Sequence, residues 1–572
     1  MVCGIAKQLT TGAFMAWQTW GELSPGATIE LWARASRPVS TAVFVIRAGE
    51  QRVFEIGSPP PYFEHSRFTN LWEQPLTVHL DPEQLEVSLA YHWHPESLPT
   101  QGIRLLPATG DSPEARPELH FSPPRQWMND PNGLHYQDGH YHLFYQFHPN
   151  SSEWGPMHWG HAVSRDLFNW VHYPVFLHPE KNLLPLGATG GAFSGSACTG
   201  HDGRLRFYYT ERLPAYDLHK DYREVQKRVI PAADGITPDA ITTVISERPD
   251  GVDCDFRDPK VWYDDASEQY LMILGAALHG DPAVLLYTSR DGEHWHYRGP
   301  LYVAPPQFKD QGARCIECPD LLPLNGRWVL YMGFVGHQDP ETGRHNLMYY
   351  QVGQFDPDQG FLPEGPLREV DFGTDFYAMQ SFLADDRRLA IAWLFNWAFQ
   401  KPPGSDYCGE MSLPRQLSLN AEKRLCMHPI LSGLISRSLP LVAVSPVRFR
   451  PGDNPCLLTM QAADGDIRHF RIAGVDARQR EWSVTLDDGL LRMVLPEDRG
   501  DIDYVHPLPR FSDLSLLYDR GIIELFVNGG SVCGTRRSYQ LTELSSLTID
   551  TTHAPEALSI SAETLTCPQP GQ

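Results

Sequence analysis

Tyr141-His-Leu-Phe-Tyr-Gln146 is the first of five short runs that decide how this 572-residue chain folds. Leu205-Arg-Phe-Tyr-Tyr-Thr210, Tyr270-Leu-Met-Ile-Leu-Gly275, Trp328-Val-Leu-Tyr-Met-Gly333 and Leu389-Ala-Ile-Ala-Trp-Leu394 repeat its polar or basic lead and its aromatic-rich apolar run. Their starts lie 64, 65, 58 and 61 residues apart. Each run has strand length, and Asp138-Gly139, Asp202-Gly203 and Asn325-Gly326 supply turn signals before three of them. A second echo has the same period: Ser164-Arg-Asp-Leu-Phe-Asn-Trp170 and Ser289-Arg-Asp-Gly-Glu-His-Trp295 lie 125 residues apart. A unit of about 60 residues built from short strands cannot bury both faces alone, and radial stacking around a channel leaves few open edges. Five copies predict a five-bladed β-propeller; a large sandwich with fortuitous spacing is the alternative.

Outward from the repeats, the texture changes on both sides. Residues 1–112 carry period-two runs such as Thr28-Ile-Glu-Leu-Trp-Ala-Arg34 and Thr41-Ala-Val-Phe-Val-Ile-Arg47, which predict a separate N-terminal β-rich domain. A Pro-rich stretch from Pro107 to Pro124 reads as a linker. Beyond 425, Trp482–Leu486, Leu490–Leu495 and Ile522–Val527, the last closed by Asn528-Gly529-Gly530, predict hairpins of a C-terminal β-sandwich over 426–572. The fold class is therefore all-β, with the propeller over 113–425.

Lys and Arg number 47 against 70 Asp and Glu, a net charge of −23 that repels phosphate backbones and anionic lipid. Nucleic acid and membrane surfaces are excluded as expected partners. Neither a secretory leader in the first thirty residues nor a run of about 18 apolar residues is visible, so a cytoplasmic protein is expected. Ten scattered cysteines suit a reducing compartment. Cys315 and Cys318 form one C-x-x-C without a second pair at zinc-finger spacing, and read as coincidence rather than a metal or redox site.

If blades present equivalent positions to a central channel, chemistry should recur at matching offsets. Asp130 in Trp127-Met-Asn-Asp-Pro-Asn-Gly133, Asp258 in Phe256-Arg-Asp-Pro-Lys260 and Glu317 in Cys315-Ile-Glu-Cys-Pro-Asp320 lie two periods and then one period apart, each expected just before or after a strand. Singly, each reads as a turn residue, an ion pair or a satisfied strand residue. Together they suit glycoside cleavage, in which one carboxylate is ionised and a second holds a proton for the leaving oxygen. Trp127, Trp154, Trp159 and Phe193 could offer apolar faces to a sugar, with Asn129, Gln146 and Arg257 as donors; core packing is the competing reading.

On these motifs, and on Met157-His-Trp-Gly-His-Ala-Val-Ser164, Phe193-Ser-Gly-Ser196, Asp375-Phe-Tyr-Ala378, Leu413-Pro-Arg415 and Asp519-Arg-Gly-Ile-Ile-Glu-Leu-Phe-Val-Asn-Gly529, the sequence resembles glycoside hydrolase family 32, the β-fructosidases. The resemblance implies Asp130 as nucleophile, Glu317 as general acid/base and Asp258 as transition-state stabiliser. It places Asn129, Gln146, Trp154, Ser194 and Arg257 around the fructose, implies no metal or cofactor, and implies a small carbohydrate substrate. Terminal β-D-fructofuranosyl units would leave sucrose or short fructo-oligosaccharides by double displacement. Sucrose-6-phosphate hydrolysis, fructan exohydrolysis, fructosyl transfer, an inverting arabinan-type reaction and a fructoside-binding or sensing role are the alternatives. Ile316 stands where the family commonly has an aromatic, His148-Pro149 where it has Asn-Pro, and Met379 where it has Pro. For residues 1–112 the readings are a packing domain, a homo-oligomer interface or a wall at the channel mouth. Trp17, Trp20, Trp32 and Trp72 offer a sugar platform there, against ordinary core packing.

Overall fold

The computed structural model describes residues 17–38, 41–109, 114–214, 222–395, 397, 401, 405–440, 446–452, 455–462, 467–551 and 558–568. Among them the chain is almost wholly strand, with two short helices, Leu98–Gln101 and Pro306–Asp310. It divides into two compact units, Met1–Asp111 and Ser112–Gln572.

The first unit is two four-stranded antiparallel sheets. One runs Gln18–Leu23, Leu76–Leu80, Ala42–Ala48, Gln51–Gly57; the other Glu64–Thr69, Thr28–Ala35, Leu85–Trp93, Arg104–Leu105. The period-two reading holds for one face of Thr28–Ala35: Ile29, Leu31 and Ala33 enter the core with Phe44, Ile46, Val78 and Val87. Thr28, Glu30 and Trp32 on the alternate face are buried too, so that face is covered although two of the three are polar. Glu30 there accepts from Trp93 Nε1 at 3.2 Å and pairs with His65 Nε2 at 2.9 Å. Trp20 packs edge-on against Phe44, and Trp32 against His65 and Tyr91, which is the core-packing reading. Trp17 is half-buried, and Trp72 is exposed and stacked on Phe68.

In the second unit, five antiparallel sheets follow in chain order. Their first strands are Gln126–Gln137, Gly191–Thr199, Val252–Asp264, Cys315–Leu324 and Tyr377–Ala384. Each first strand neighbours the next, and the fifth neighbours the first, so the five line a closed channel. Tyr407–Cys408, reached after the fifth sheet has begun, pairs parallel with Gln126 and Trp127 of the first and closes the ring. The five quoted runs lie on the second strand of each blade, one place out from the channel: His140–His148, Leu205–Pro214, Gln269–Leu278, Arg327–Val335 and Arg387–Trp393. The fifth blade ends with Leu425–Pro429, across the expected 425/426 boundary.

The S-R-D-x-x-x-W echo is one turn used twice. Ser164 Oγ and Ser289 Oγ each donate to an aspartate two residues on, at 3.0 Å, and accept the N–H three residues on, at 2.9 Å. Asp166 and Asp291 then accept two further backbone N–H groups each. Short polar side chains that satisfy their own loop explain why the spelling recurs.

Two six-stranded sheets, between Ile435 and Thr566, pack face to face as the C-terminal sandwich around Leu458, Ile472, Val484, Leu516, Leu525 and Leu547. Its seam with the propeller is ionic and buried. His120 pairs with Asp519 at 2.8 Å and Glu524 at 3.2 Å, and Arg415 with Glu524 at 2.9 Å. Arg537 reaches Glu410 at 2.7 Å, and Arg536 reaches Asp375 at 3.3 Å. Burial alone would push His120 down, but its two carboxylates outweigh this and raise it to about 9. Burial likewise opposes the charge on Glu524 and Glu410, yet their arginine partners hold both below the usual carboxylate range.

Candidate active site

Every blade's innermost strand breaks register at one height, with two residues opposing one on the second strand. The pairs are Asn129-Asp130, Phe193-Ser194, Asp258-Pro259, Cys318-Pro319 and Ala378-Met379. Such bulges re-aim side chains that a regular strand would send to alternate faces. Asp258, Cys318 and Ala378 take the left-handed conformation there, with φ of 63°, 47° and 51°. The expected carboxylates thus sit inside strands and not just before or after them, Asp130 and Asp258 at bulges and Glu317 one residue before one. The repeat phase is also one residue different from the sequence reading. Cys318, 60 residues after Asp258, is its backbone equivalent, and Glu317 is equivalent to Arg257.

The motif glycines have steric causes. Gly133 has φ of 53°, and a Cβ on it would come within 3.1 Å of Phe144, Phe207 and Trp159. A Cβ on Gly195 would lie 2.0 Å from the Tyr208 carbonyl oxygen, so only glycine lets the neighbouring strand close in beside Ser194.

Asp130, Asp258 and Glu317 gather around the Cys318 side chain. Asp130 accepts from Ser194 Oγ at 2.6 Å and Asn129 Nδ2 at 3.1 Å. Asp258 accepts the Cys318 backbone N–H at 2.8 Å, and the Cys318 Sγ lies 3.5 Å from Oδ2 of both aspartates. Glu317 accepts from Arg257 Nη2 at 2.9 Å and Nε at 3.1 Å, and from Tyr377 OH at 3.1 Å. Burial pushes the Asp130 carboxyl up; Ser194 and Asn129 oppose this, the Glu317 charge adds to it, and the balance stays above the usual range. Asp258 is raised to about 7 chiefly by burial; Arg257 pulls it down, and the charges of Glu317 and Asp130 push it up. Tyr377 is pushed far up by burial and by Glu317, so it keeps the proton it donates.

Above these carboxylates a pocket opens to solvent. Asn129, Asp130, Gln146, Trp154, Ser194, Arg257 and Glu317, all singled out in the sequence, line it together with Phe193. Asp258 lines a narrow recess beside it with Ser194 and Cys318. Two expected aromatics do not face the pocket. Trp127 is 5% exposed, packed against Trp393 and Trp397, and donates its Nε1 proton to Asn129 Oδ1 at 2.8 Å, so it holds a pocket residue from behind. Trp159 is fully buried and donates to the Phe193 carbonyl at 2.9 Å. Both fit the core-packing reading.

Several residues went unread. Tyr377 lies 60 residues after Glu317, itself 60 after Arg257, so a strict period would have found it. Thr210 ends one of the quoted runs, and its Oγ1 accepts the Asp258 N–H at 3.0 Å. Glu224 and Asp255 brace Arg257 Nη1 at 3.2 and 2.6 Å; no motif marks them. Arg212, Arg314, Val335 and Trp397 complete the pocket wall without a sequence signal. Asp375, on a quoted motif, belongs to the seam with Arg536 and Arg537. Cys315 is buried, its thiol 3.5 Å from Arg257 Nη2, and both cysteines are free thiols. Acidic side chains from three blades, an arginine, hydroxyls and one aromatic wall make a site for acid/base and nucleophilic work on a polar ring.

Comparison with known proteins agrees with this chemistry. The sequence model of the Glycosyl hydrolases family 32 N-terminal domain matches residues 120–429. A raffinose invertase of Escherichia coli is 33% identical over 468 residues, covering 77% of this chain and 93% of its own. A levanase of Bacillus subtilis is 38% identical over 328 residues, 54% of this chain and 45% of its own. A family 32 structure from Bifidobacterium adolescentis superposes with a TM-score of 0.83 at 25% identity, covering 96% of this chain and 99% of that one. A Bombyx mori family 32 beta-fructofuranosidase gives 0.69 at 27% identity, over 80% of this chain and 95% of that one. The chain belongs to glycoside hydrolase family 32.

Proposed function

We propose that this glycoside hydrolase releases terminal β-D-fructofuranosyl units from small carbohydrates, sucrose or short fructo-oligosaccharides, with retention of configuration. The observation that carries it is the convergence of Asp130, Asp258 and Glu317, from three different blades, around Cys318, with Asp130 and Glu317 lining the pocket and Asp258 the recess that adjoins it. The relatives named a raffinose invertase, a levanase and a beta-fructofuranosidase support the substrate class.

Asp130 attacks the anomeric carbon C2 while Glu317 gives its proton to the departing oxygen. Ser194 and Asn129, both hydrogen-bonded to Asp130, leave its attacking oxygen a defined direction. Arg257 and Tyr377 grip the Glu317 carboxyl from two sides, which fixes its reach toward the scissile oxygen. In the second step Glu317 takes a proton from water, which attacks C2 and frees Asp130. Asp258, turned inward by its bulge, accepts fructose hydroxyls and favours the positive charge that grows on the ring. Trp154 and Phe193 supply the apolar wall. A cytoplasmic location would suit short imported substrates and is part of the same proposal.

Fructose release from sucrose, 1-kestose, inulin and levan, with Glu317→Ala assayed in parallel, tests this. Release that vanishes in the variant is expected. A wild-type protein that frees no fructose from any of them, or a variant as active as its parent, would refute it.

A further inference from the structure

Two arginines at the pocket wall, Arg212 and Arg314, have no part in the chemistry above. Arg212 is held by its neighbours: Nε and Nη2 both donate to Glu224, at 2.9 and 2.6 Å, and the guanidinium lies 4.4 Å from the Phe193 ring centre and 3.7 Å from that of Tyr222. Arg314 differs. Its side chain is 61% exposed, and among the described residues only its Nε is bonded, to Asp255 Oδ2 at 3.1 Å. Its backbone N–H is fixed on the Val335 carbonyl at 2.7 Å. Asp255 is buried and also holds Arg257 Nη1 at 2.6 Å, so one carboxylate anchors both the arginine that grips Glu317 and the arginine beside it at the wall. Held by Nε, the planar guanidinium keeps its two terminal nitrogens for a ligand.

We propose that Arg314 is a specificity-determining residue that hydrogen-bonds adjacent hydroxyl oxygens of a neutral sugar leaving group, with Asp255 as the residue that positions it; this rests on the β-fructosidase reading. Glu317 hands its proton to the oxygen between fructose and leaving group, so the leaving group occupies the side of the pocket that Arg314 shares with Glu317. Vicinal ring hydroxyls match the spacing of a guanidinium fork. Charge argues against an anionic leaving group. Among the described residues Arg212, Arg257 and Arg314 are matched by Glu224, Asp255 and Glu317, and Asp130 and Asp258 remain as further acids. A phosphate dianion would enter a field that is already neutral to negative, a penalty that uncharged hydroxyls escape.

Steady-state rates of Arg314→Ala on sucrose, sucrose-6-phosphate and methyl β-D-fructofuranoside decide it, because the methyl leaving group has no hydroxyl to read. On sucrose, kcat/KM should fall roughly tenfold, mainly through KM, while the methyl fructoside changes less than about twofold. Wild-type protein should prefer sucrose to its 6-phosphate. Arg314→Lys keeps the charge beside Asp255, protects the fold and loses the fork; it should still lose several-fold on sucrose alone. Equal losses on sucrose and the methyl fructoside would overturn the inference, and so would a wild-type preference for the 6-phosphate that Arg314→Ala abolishes. Absence of turnover on every fructoside by the wild type would sink the fructosidase reading itself, before any variant is compared.

Discussion

Two buried, arginine-rich clusters within the second unit treat their acids in opposite ways. At the seam between propeller and sandwich, Glu524 and Glu410 are held below the usual carboxylate range and His120 is raised to about 9, so each partner favours the charged form of the other. At the pocket and its recess burial raises Asp130 and takes Asp258 to about 7, and the facing acids add to the rise around one arginine. Asp375 is the seam's exception, lifted to about 6 by burial despite Arg536. The seam minimises unpaired charge, whereas the pocket keeps electrostatic conflict along with three bulge residues in left-handed backbone. Conflict that packing could have removed, and did not, marks where the molecule does chemistry.

The contrast breaks most sharply by mutation. Glu317→Ala or Asp130→Ala should lower kcat by about 10³-fold or more while costing far less stability than a seam variant, since Arg257 keeps Glu224 and Asp255 when Glu317 is removed. Arg415→Ala should do the reverse: removing one partner of a buried pair costs about 3–5 kcal/mol in denaturant unfolding, while the folded fraction keeps its specific activity. Coincident losses of stability and rate in both variants would erase the distinction.

His120 sets the next largest effect. Its folded pKa lies above the free value, so the stability it contributes is complete below about pH 6.5 and is lost as pH rises through about 9. About 3 kcal/mol should disappear across that window, and His120→Gln should flatten the profile. Asp258 has the opposite sign. Its raised pKa means that the folded state binds more protons than the unfolded one between roughly pH 4 and 7, so its ionisation weakens folding as pH rises through that range. Asp258→Asn should therefore raise the melting midpoint by a few degrees at pH 7 and by less at pH 5, while abolishing most turnover. Cys318→Ala should be mildest, within about tenfold in kcat/KM, since a thiol is a weak donor and the backbone N–H to Asp258 remains.

The propeller was legible because its second strands are buried on both faces and spelled as aromatic-rich runs at a steady spacing, as in Leu205–Thr210 and Trp328–Gly333. The three acids were legible through their prolyl and glycyl neighbours. What stayed hidden is non-local. The bulge makes Cys318, 60 residues on, and not Glu317 the counterpart of Asp258, and the spelling around the acids does not show which of two neighbours turns inward. Trp127 and Trp154 look alike as aromatics, yet one is walled in by Trp393 and the other opens on the pocket. Asp255 and Arg314 carry no motif, and their pairing exists only because adjacent blades meet. The seam acids Asp519 and Glu524 were visible within a family-like segment but without a partner, since His120 lies about 400 residues away. The first unit, unmatched by the family's sequence model, has company in the Bifidobacterium structure, which covers 96% of the chain where the Bombyx enzyme covers 80%.

Trapping the covalent intermediate tests most directly whether the pocket acids divide their labour as described. Glu317→Ala incubated with fructosyl fluoride, whose leaving group needs no proton, should accumulate a fructosyl ester on Asp130, found by mass spectrometry of the peptide spanning Trp127–Gly133. An adduct on Asp258, or an inverted product formed with no adduct at all, would contradict it.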